Sequence, residues 1–294
     1  NKMELNQKYY EPKVISQSCW DNLNKFNLLS QIKMACELRT RMAIFGDSFK
    51  HFSQKKIDCL KEEILEFQFN EFPEAHIYLE LFQWLDFKNL NNLEAFKKSK
   101  QLIINNINIF PKAEQGLILV YLMNCVGKIY NPKIPISTEW YYELATIGFE
   151  QIWTKETPIE SSLLMSIYDV TYQEHPTFAE KIITEYTAKL SNQEKYWIET
   201  FFETRKNFKH QKYLQALKFA ESLQHHKNYG LTTRKYILIL QCKYELYLTL
   251  SNPNVTQSLL DTADIESIEK TIDNLKTYMR DSSYFKQPST AEKN

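Results

Sequence analysis

Six histidines and five cysteines are the residues of this sequence whose side chains could bind a metal ion or act as nucleophiles. His225 and His226 are adjacent and His210 precedes them by one predicted helix, so the three could together bind a metal ion. A simpler interpretation is that they lie at a helix C-terminus, which favours cationic side chains. The sequence has no H-E-x-x-H motif and no spacing typical of a structural zinc site. We therefore expect no metal and no cofactor.

Acidic pairs such as Glu62-Glu63 could serve general acid–base chemistry, but adjacent carboxylates of this kind are typical of a solvated helix face. The E-x-x-H pair that di-iron helical bundles use does not occur in the sequence. A cysteine nucleophile would need a histidine nearby in space, which spacing along the chain does not reveal. We expect a protein that is not an enzyme.

The cysteines are Cys19, Cys36, Cys59, Cys125 and Cys242, an odd number without a C-x-x-C pair. All but the first lie among helical apolar residues, where a free cysteine behaves as a small hydrophobic side chain. This pattern favours a reduced, intracellular chain over a disulfide framework, and we expect a cytoplasmic protein.

Glycine is scarce, with 5 residues among 294 against about 7% in an average chain. The nearest two, Gly116 and Gly127, are eleven positions apart. Phosphate-binding loops, dinucleotide turns and nucleophile elbows all need glycines within about six positions of each other, so these motifs are excluded. Tight hairpins also depend on glycine. Together with long amphipathic segments, the scarcity predicts an all-α protein.

The charge balance and hydropathy exclude two classes of partner. The chain has 36 Lys plus Arg and 36 Asp plus Glu, whereas proteins that bind nucleic acids usually carry a basic excess. The longest apolar run, Leu117 to Met123, is far shorter than the roughly 20 residues that span a bilayer. We expect neither a nucleic acid nor a membrane as partner.

Twelve helices are predicted from amphipathic periodicity and from residues that begin helices. Four prolines stand just ahead of helical patterns, at Pro73, Pro111, Pro158 and Pro176. Ser53, Ser137 and Ser191 fit N-cap positions, and Glu194 completes a capping box with Ser191. The predicted helices lie near 18–45, 53–70, 74–87, 91–109, 112–130, 137–153, 158–173, 176–190, 192–208, 211–224, 230–250 and 264–281.

The predicted helices form pairs that repeat along the chain. Pairs begin near 112, 158, 192 and 230, spacings that bracket the 34-residue tetratricopeptide period. The segment from Tyr213 to Leu223 resembles the second helix of a tetratricopeptide repeat, with Ala216 as the small residue that lets two helices approach closely. Ala95 and Ala179 are weaker matches. The small residue of the first helix and the closing proline are missing, so these repeats would be degenerate.

Over roughly Glu71 to Phe285, the chain resembles the long, uncharacterised tetratricopeptide-like helical-repeat proteins of Bacteroidetes. This resemblance implies a right-handed α-solenoid that acts as a scaffold, and it supplies no active-site residues. We expect a single continuous helical-repeat domain over 1–294, with flexible or extended ends at 1–17 and 282–294.

Two arginines are candidate binding residues because they lie on apolar helix faces. Arg205 follows Phe201 and Phe202 at helical spacing, and Arg234 follows Leu231 in the same way. An arginine at the edge of an apolar face usually packs its aliphatic stem there. On the concave face of a solenoid, the same arrangement can bind a partner carboxylate through two hydrogen bonds. Both interpretations stay open at this point.

The aromatic run Trp140-Tyr141-Tyr142 is a second candidate for binding. Three consecutive rings cannot all face one side of a helix, so at least one of them should be exposed to solvent or contact another chain.

The sequence therefore favours a non-catalytic protein-interaction scaffold that binds a protein or peptide on the concave face of a solenoid. Within this interpretation, the binding surface lies on the first helices of the C-terminal pairs, 192–208 and 230–250. One alternative is a regulatory or sensor module that binds a small ligand between its helices. Another is a helical enzyme whose site is assembled from residues distant in sequence.

Overall fold

The computed structural model describes residues 12–45, 54–85, 92–129, 135–153, 159–226, 229–250 and 265–281. Within these ranges the chain forms twelve α-helices, one short 3₁₀ helix and one π-helix, and no β-strand. The prediction of an all-α protein is confirmed. No helix in these ranges combines the length and the apolar character that crossing a lipid bilayer requires.

The chain forms two compact units, residues 1–159 and 160–294. The helices of the first unit are α1 Pro12–Phe45, α2 Gln54–Leu65, α3 Pro73–Trp84, α4 Leu93–Asn106, α5 Lys112–Ile129 and α6 Pro135–Ile147. The helices of the second unit are α7 Ser161–Thr171, α8 Pro176–Thr187, α9 Asn192–Lys209, α10 Tyr213–Ser222, α11 Tyr229–Leu250 and α12 Ile265–Asp281. The single continuous domain stays a prediction.

Each predicted helix corresponds to one observed helix, and the differences lie at the ends. The predicted helix 91–109 is α4 followed by a 3₁₀ turn, Ile107–Ile109. The predicted helix 137–153 is α6 followed by the π-helix Gly148–Ile152. Because α6 already begins at Pro135, Ser137 lies inside its first turn and is not the N-cap.

Ser191 is the N-cap of α9, as predicted, and its Oγ accepts a hydrogen bond from the backbone N–H of Glu194. Other sequence assignments fall outside the described residues. Ser53 and Pro158 lie outside them, as do residues 1–11 and 282–294 of the predicted ends, whereas α1 begins at Pro12.

The core of the first unit is built from apolar and aromatic side chains of all six helices, α1 to α6. Cys36 is buried on α1, and its thiol donates to the backbone carbonyl of Tyr78 on α3 at 3.4 Å. Cys125 on α5 is also buried, and desolvation raises the pKa of its thiol to about 12. These two cysteines are small core residues, as predicted, whereas Cys59 on α2 is exposed and is not.

In the second unit, every helix packs against the next helix in chain order. The first helices of the three pairs, α7, α9 and α11, are also brought together, because α11 contacts both α7 and α9. Ala179 on α8 and Ala216 on α10 are fully buried at equivalent places in successive pairs. Ala95, the third small residue noted in the sequence, is only half-buried on α4. The packing of α11 against α7 and α9 brings Arg205 and Arg234 close to Asp169.

Candidate functional site

The two candidate arginines project from α9 and α11 beside buried apolar residues. Phe201 and Phe202 on α9 are buried, and Arg205 lies one helical turn beyond them. On α11, Leu231 is buried one turn before Arg234. These apolar neighbours hold both helices against the unit, so each guanidinium lies at the boundary between core and solvent.

Arg205 binds a carboxylate that the sequence analysis did not identify, that of Asp169 on α7. The Nε of Arg205 donates to Asp169 Oδ1 at 2.7 Å, and Nη2 lies 2.6 Å from the same oxygen. The side chain of Arg205 is 18% exposed and that of Asp169 is 26% exposed. Its Nη1 also contacts Gln241 Oε1 on α11 at 3.5 Å.

Arg234 approaches the other oxygen of the same carboxylate. Its Nη1 lies 3.9 Å from Asp169 Oδ2, which is beyond hydrogen-bond distance. Its Nη2 donates to Ser166 Oγ on α7 at 2.8 Å. At 34% exposed, its side chain is the most solvent-accessible member of this group of ion pairs. The Nη1 of Arg234 therefore retains capacity to bind a better-placed acceptor.

Lys209, one turn after Arg205 on α9, is a third cationic group at this place. Its Nζ donates to the backbone carbonyl of Asp169 at 3.2 Å. It also lies 5.3 Å from the ring centroid of Tyr168 and 4.8 Å from that of Tyr172. The pKa of Lys209 is lowered to about 8, chiefly because the amine is buried; the negative charge of Asp169 opposes this effect, and the positive charge of Arg205 adds to it. At neutral pH the amine is mostly protonated.

These residues form what we call the arginine cluster: Ser166, Asp169, Arg205, Lys209, Arg234 and Gln241. The cluster has three cationic side chains and one carboxylate, which Arg205 and Arg234 share while Lys209 contacts the backbone of the same residue, so it carries a net positive charge near neutral pH. Because it is only partly exposed, its charges are less screened by water than those of a fully solvated surface. The arrangement is suited to binding an anionic group.

Sequence analysis identified the arginines of this cluster and missed their partners. Asp169, Arg205 and Gln241 follow one another at intervals of 36 residues. At this interval, residues of α7, α9 and α11 contact one another. The missed signal was therefore this spacing, since a search for polar residues 36 positions from Arg205 would have found both partners.

The aromatic run of the first unit lies mostly in the core. Trp140 and Tyr141 on α6 are buried, and the ring of Trp140 packs against Phe96 on α4, with centroids 5.6 Å apart. Tyr142 is half-buried. This burial pattern fits the prediction that the three rings cannot all face the same side of the helix. The two buried rings have a packing role, and the binding role of the run stays a prediction.

The three C-terminal histidines have separate neighbours. His225 and His226 lie beyond α10, which ends at Ser222, so the interpretation that they belong to a helix end is wrong. His225 Nε2 lies 2.9 Å from the hydroxyl of Tyr236. Burial and the nearby charge of Lys235 lower the pKa of His225, the opposite of what a helix C-terminus would do.

The remaining two histidines contact aromatic side chains. The His226 ring packs 4.9 Å from that of Trp197. His210 Nε2 lies 3.4 Å from the hydroxyl of Tyr172.

The segment 223–226 forms one wall of a cavity of about 440 Å³ between α9 and α10. Three side chains from two helices, α9 and α11, hold the backbone of this segment. Trp197 Nε1 donates to the carbonyl of Gln224 at 3.0 Å, and Lys235 Nζ donates to that of Leu223. Thr232 Oγ1 accepts from the N–H of His226 and donates to its carbonyl. The wall is thus held in place without a regular helix.

No protein-family model, curated protein or solved structure matches the chain. The features of the molecule that bear on its function are therefore the arginine cluster, the cavity and the surfaces that border them.

Proposed function

We propose that this protein is a non-catalytic interaction scaffold, an α-solenoid of degenerate tetratricopeptide-like helix pairs that binds an acidic protein or peptide. The binding site is the arginine cluster of the second unit. The observation that carries the proposal is the sharing of the Asp169 carboxylate by Arg205 and Arg234 from different helices.

Three features of the second unit support the repeat part of this proposal. The helices pack in chain order, and the first helices of successive pairs are neighbours. The 36-residue interval from Asp169 to Arg205 recurs from Arg205 to Gln241. Ala179 and Ala216 are buried at equivalent places on the second helices. In a helical repeat, equivalent residues recur in this way because each unit contacts its neighbours through the same faces.

The charge balance supports an anionic ligand. An incoming carboxylate can take a hydrogen bond from Arg234 Nη1, which lies too far from Asp169 for a good bond of its own. Arg205 and Lys209 add positive potential close by. Charge-assisted hydrogen bonds of this type are about twice as strong as neutral ones. A partner side chain of Asp or Glu, or a free C-terminus, meets these requirements.

A peptide-binding experiment tests the proposal. Labelled acidic peptides are compared by fluorescence anisotropy with matched peptides in which every Asp and Glu is replaced by its amide. We expect saturable binding of acidic sequences that weakens with added salt, because screening reduces the attraction. Arg234→Gln should weaken it about tenfold, equivalent to about 1.4 kcal/mol.

Arg280→Gln is the matched control, since Arg280 is an exposed arginine on α12 of the same unit and is not a member of the cluster. Equal binding of the acidic peptides and their amide forms would refute the proposal. An equal loss with Arg280→Gln would also refute it, because the attraction would then come from net charge rather than from the cluster.

A second candidate function, a sensor module for a small ligand, is favoured by the cavity beside segment 223–226. Its volume of about 440 Å³ lies within the range of small-molecule sites. Trp197, Tyr196, His225 and His226 contribute aromatic surface to its lining, and Gln193 and Glu194 contribute polar groups. A small-molecule library screened by thermal shift against the native chain and Trp197→Phe tests this candidate. A compound that raises the melting temperatures of the native chain and of Trp197→Phe equally does not bind in this cavity.

A further inference from the structure

One face of α11 is exposed and lies next to the arginine cluster. Five residues share this face at alternating spacings of three and four: Arg234, Ile237, Gln241, Tyr244 and Leu248. Ile237 is 43% exposed, Tyr244 54% and Leu248 48%. Single exposed apolar side chains are common on protein surfaces, but here three are aligned on one helix face, with Gln241 between Ile237 and Tyr244. We call this set of five residues the α11 stripe.

The stripe begins in the arginine cluster and continues into apolar surface. Arg234 contacts Ser166 on α7, and Gln241 contacts Arg205 on α9. Towards the C-terminus of α11, Tyr244 and Leu248 follow. At a rise of about 1.5 Å per residue, the stripe is roughly 21 Å long. One end is therefore cationic and the remainder is mostly apolar.

We infer that the α11 stripe binds an amphipathic helix of a partner protein. The apolar residues of that helix cover Ile237, Tyr244 and Leu248, and an acidic residue of it pairs with Arg234. This inference rests on the proposed function and specifies the partner that the arginine cluster serves. Because the cluster is positively charged, the partner residue that lies at the Arg234 end of the stripe is acidic.

The occupant is a helix because of how its backbone must form hydrogen bonds. The exposed face of α11 presents side chains, and the backbone groups of a helix interior are already paired with one another. An extended peptide on this face would bury N–H and C=O groups without partners, which costs about 1–3 kcal/mol for each group. A helix satisfies its own backbone and presents apolar residues at the same three- and four-residue spacing as the stripe.

The probe for this inference is a designed helical peptide of about 18 residues, long enough to cover the stripe. It has leucines on one face and a glutamate at each end of that face, and its matched form has glutamine at both ends. Binding of the labelled peptide to the native chain is measured by fluorescence anisotropy. We expect the glutamate form to bind about tenfold more tightly than the glutamine form, and Arg234→Gln to abolish that difference.

The triple variant Ile237→Ser, Tyr244→Ser and Leu248→Ser tests the apolar part. Because all three side chains are exposed, we expect an unchanged melting temperature and a loss of probe binding of tenfold or more. Ile265→Ser, which changes an exposed apolar residue on α12, is the matched control and should bind the probe like the native chain.

The outcomes separate this inference from the proposed function. If short acidic peptides bind and depend on Arg234 while the triple variant binds the helical probe normally, the α11 stripe inference is wrong and the proposed function stands. If neither kind of peptide binds, both are wrong. If the native chain forms a dimer by sedimentation and the triple variant is a monomer, the occupant is a second copy, and the inferred partner is wrong.

Discussion

Arg205 on α9 makes two contacts to a single oxygen of Asp169 on α7, at 2.7 Å through Nε and at 2.6 Å through Nη2. Both side chains are less than one-third exposed, so this ion pair is better shielded from solvent than a typical surface pair. The pair joins α7 and α9 through two residues that are 36 positions apart in the sequence. The same arginine therefore stabilises the fold and contributes to the charge of the candidate site.

The first prediction concerns the stability that this pair provides. Arg205→Ala should lower the free energy of unfolding by about 2 kcal/mol, because hydrogen bonds to charged groups contribute roughly 1.5–3 kcal/mol. Arg234→Ala should cost less, about 1 kcal/mol, since its contact with Asp169 is longer. Chemical denaturation measures both. Arg41→Ala, which removes an exposed pair with Glu37, should cost less than about 0.5 kcal/mol and is the control.

A double-mutant cycle with Asp169→Ala completes this test. If Arg205 and Asp169 stabilise each other as described, their coupling energy should be about 1–2 kcal/mol. A coupling energy near zero would show that Arg205 acts only by packing its aliphatic stem, the first of the two interpretations from the sequence.

Local sequence signals predicted most of this fold, because the residues that begin a helix lie next to it in the sequence. Ser191 and Glu194 mark the start of α9, and Pro73 and Pro176 mark the starts of α3 and α8. The ends of helices were less accurate where the last turn changes its hydrogen-bond pattern. The π-helix after α6 is an example, since the N–H of Trp153 bonds to the carbonyl of Gly148, five residues earlier.

The sequence predicted the two arginines of the candidate site but not the carboxylate that they share. The apolar neighbours of Arg205 and Arg234 are local in sequence and visible as helical periodicity. Their shared partner, Asp169, belongs to a different helix pair, and its proximity depends on how α7 packs against α11. The burial of Trp140 and Tyr141 likewise depends on tertiary packing, which consecutive residues in a sequence do not specify.

The second prediction concerns Gly148, where Trp153 leaves no room for a side chain. A Cβ at position 148 would overlap Cζ3 and Cε3 of the Trp153 indole. The indole is buried and cannot shift cheaply. Gly148→Ala should therefore destabilise the protein by about 1–3 kcal/mol, the usual cost of overpacking a core. Thermal and denaturant unfolding measure this.

Gly127 on α5 offers a matched control with the opposite expected sign. A Cβ there would lie 3.9 Å from the Tyr141 ring, an ordinary contact. Gly127→Ala should stabilise the protein by about 0.5–1 kcal/mol, because alanine favours helices over glycine. If both substitutions change stability equally, the close approach of Trp153 to Gly148 does not constrain the fold.

The third prediction concerns the N-cap of α9, which precedes the helix that carries Arg205. Ser191 Oγ accepts from the backbone N–H of Glu194 at 3.4 Å and donates to its carboxylate at 3.1 Å. Ser191→Ala should lower the free energy of unfolding by about 0.5–1 kcal/mol. Ser222→Ala removes a hydroxyl that only donates to the Phe219 carbonyl, and it should cost a few tenths of a kcal/mol. Equal costs would contradict the capping role.

The fourth prediction is a pH dependence that arises from Lys209. Because burial lowers its pKa from 10.5 to about 8 in the folded state, the folded chain binds fewer protons at this site than the unfolded chain between these values. Stability therefore rises with pH in that range. Subtracting the free energy of unfolding of Lys209→Met from that of the native chain isolates this effect from other titrating groups.

The free energy of unfolding of the native chain minus that of Lys209→Met should increase by about 1–2 kcal/mol from pH 8 to pH 10.5. This increase is smaller than the full pKa shift would give, because the ammonium is partly solvated. Lys206→Met is the control on the same helix. Its hydrogen bond to Glu180 raises the pKa of Lys206, so its contribution is constant below pH 10.5 and is lost only above it. Denaturant unfolding at half-unit pH steps measures both differences. A flat profile for Lys209→Met would mean that its ammonium is fully solvated, and water would then screen its charge, so that Lys209 would add little to the positive potential of the arginine cluster.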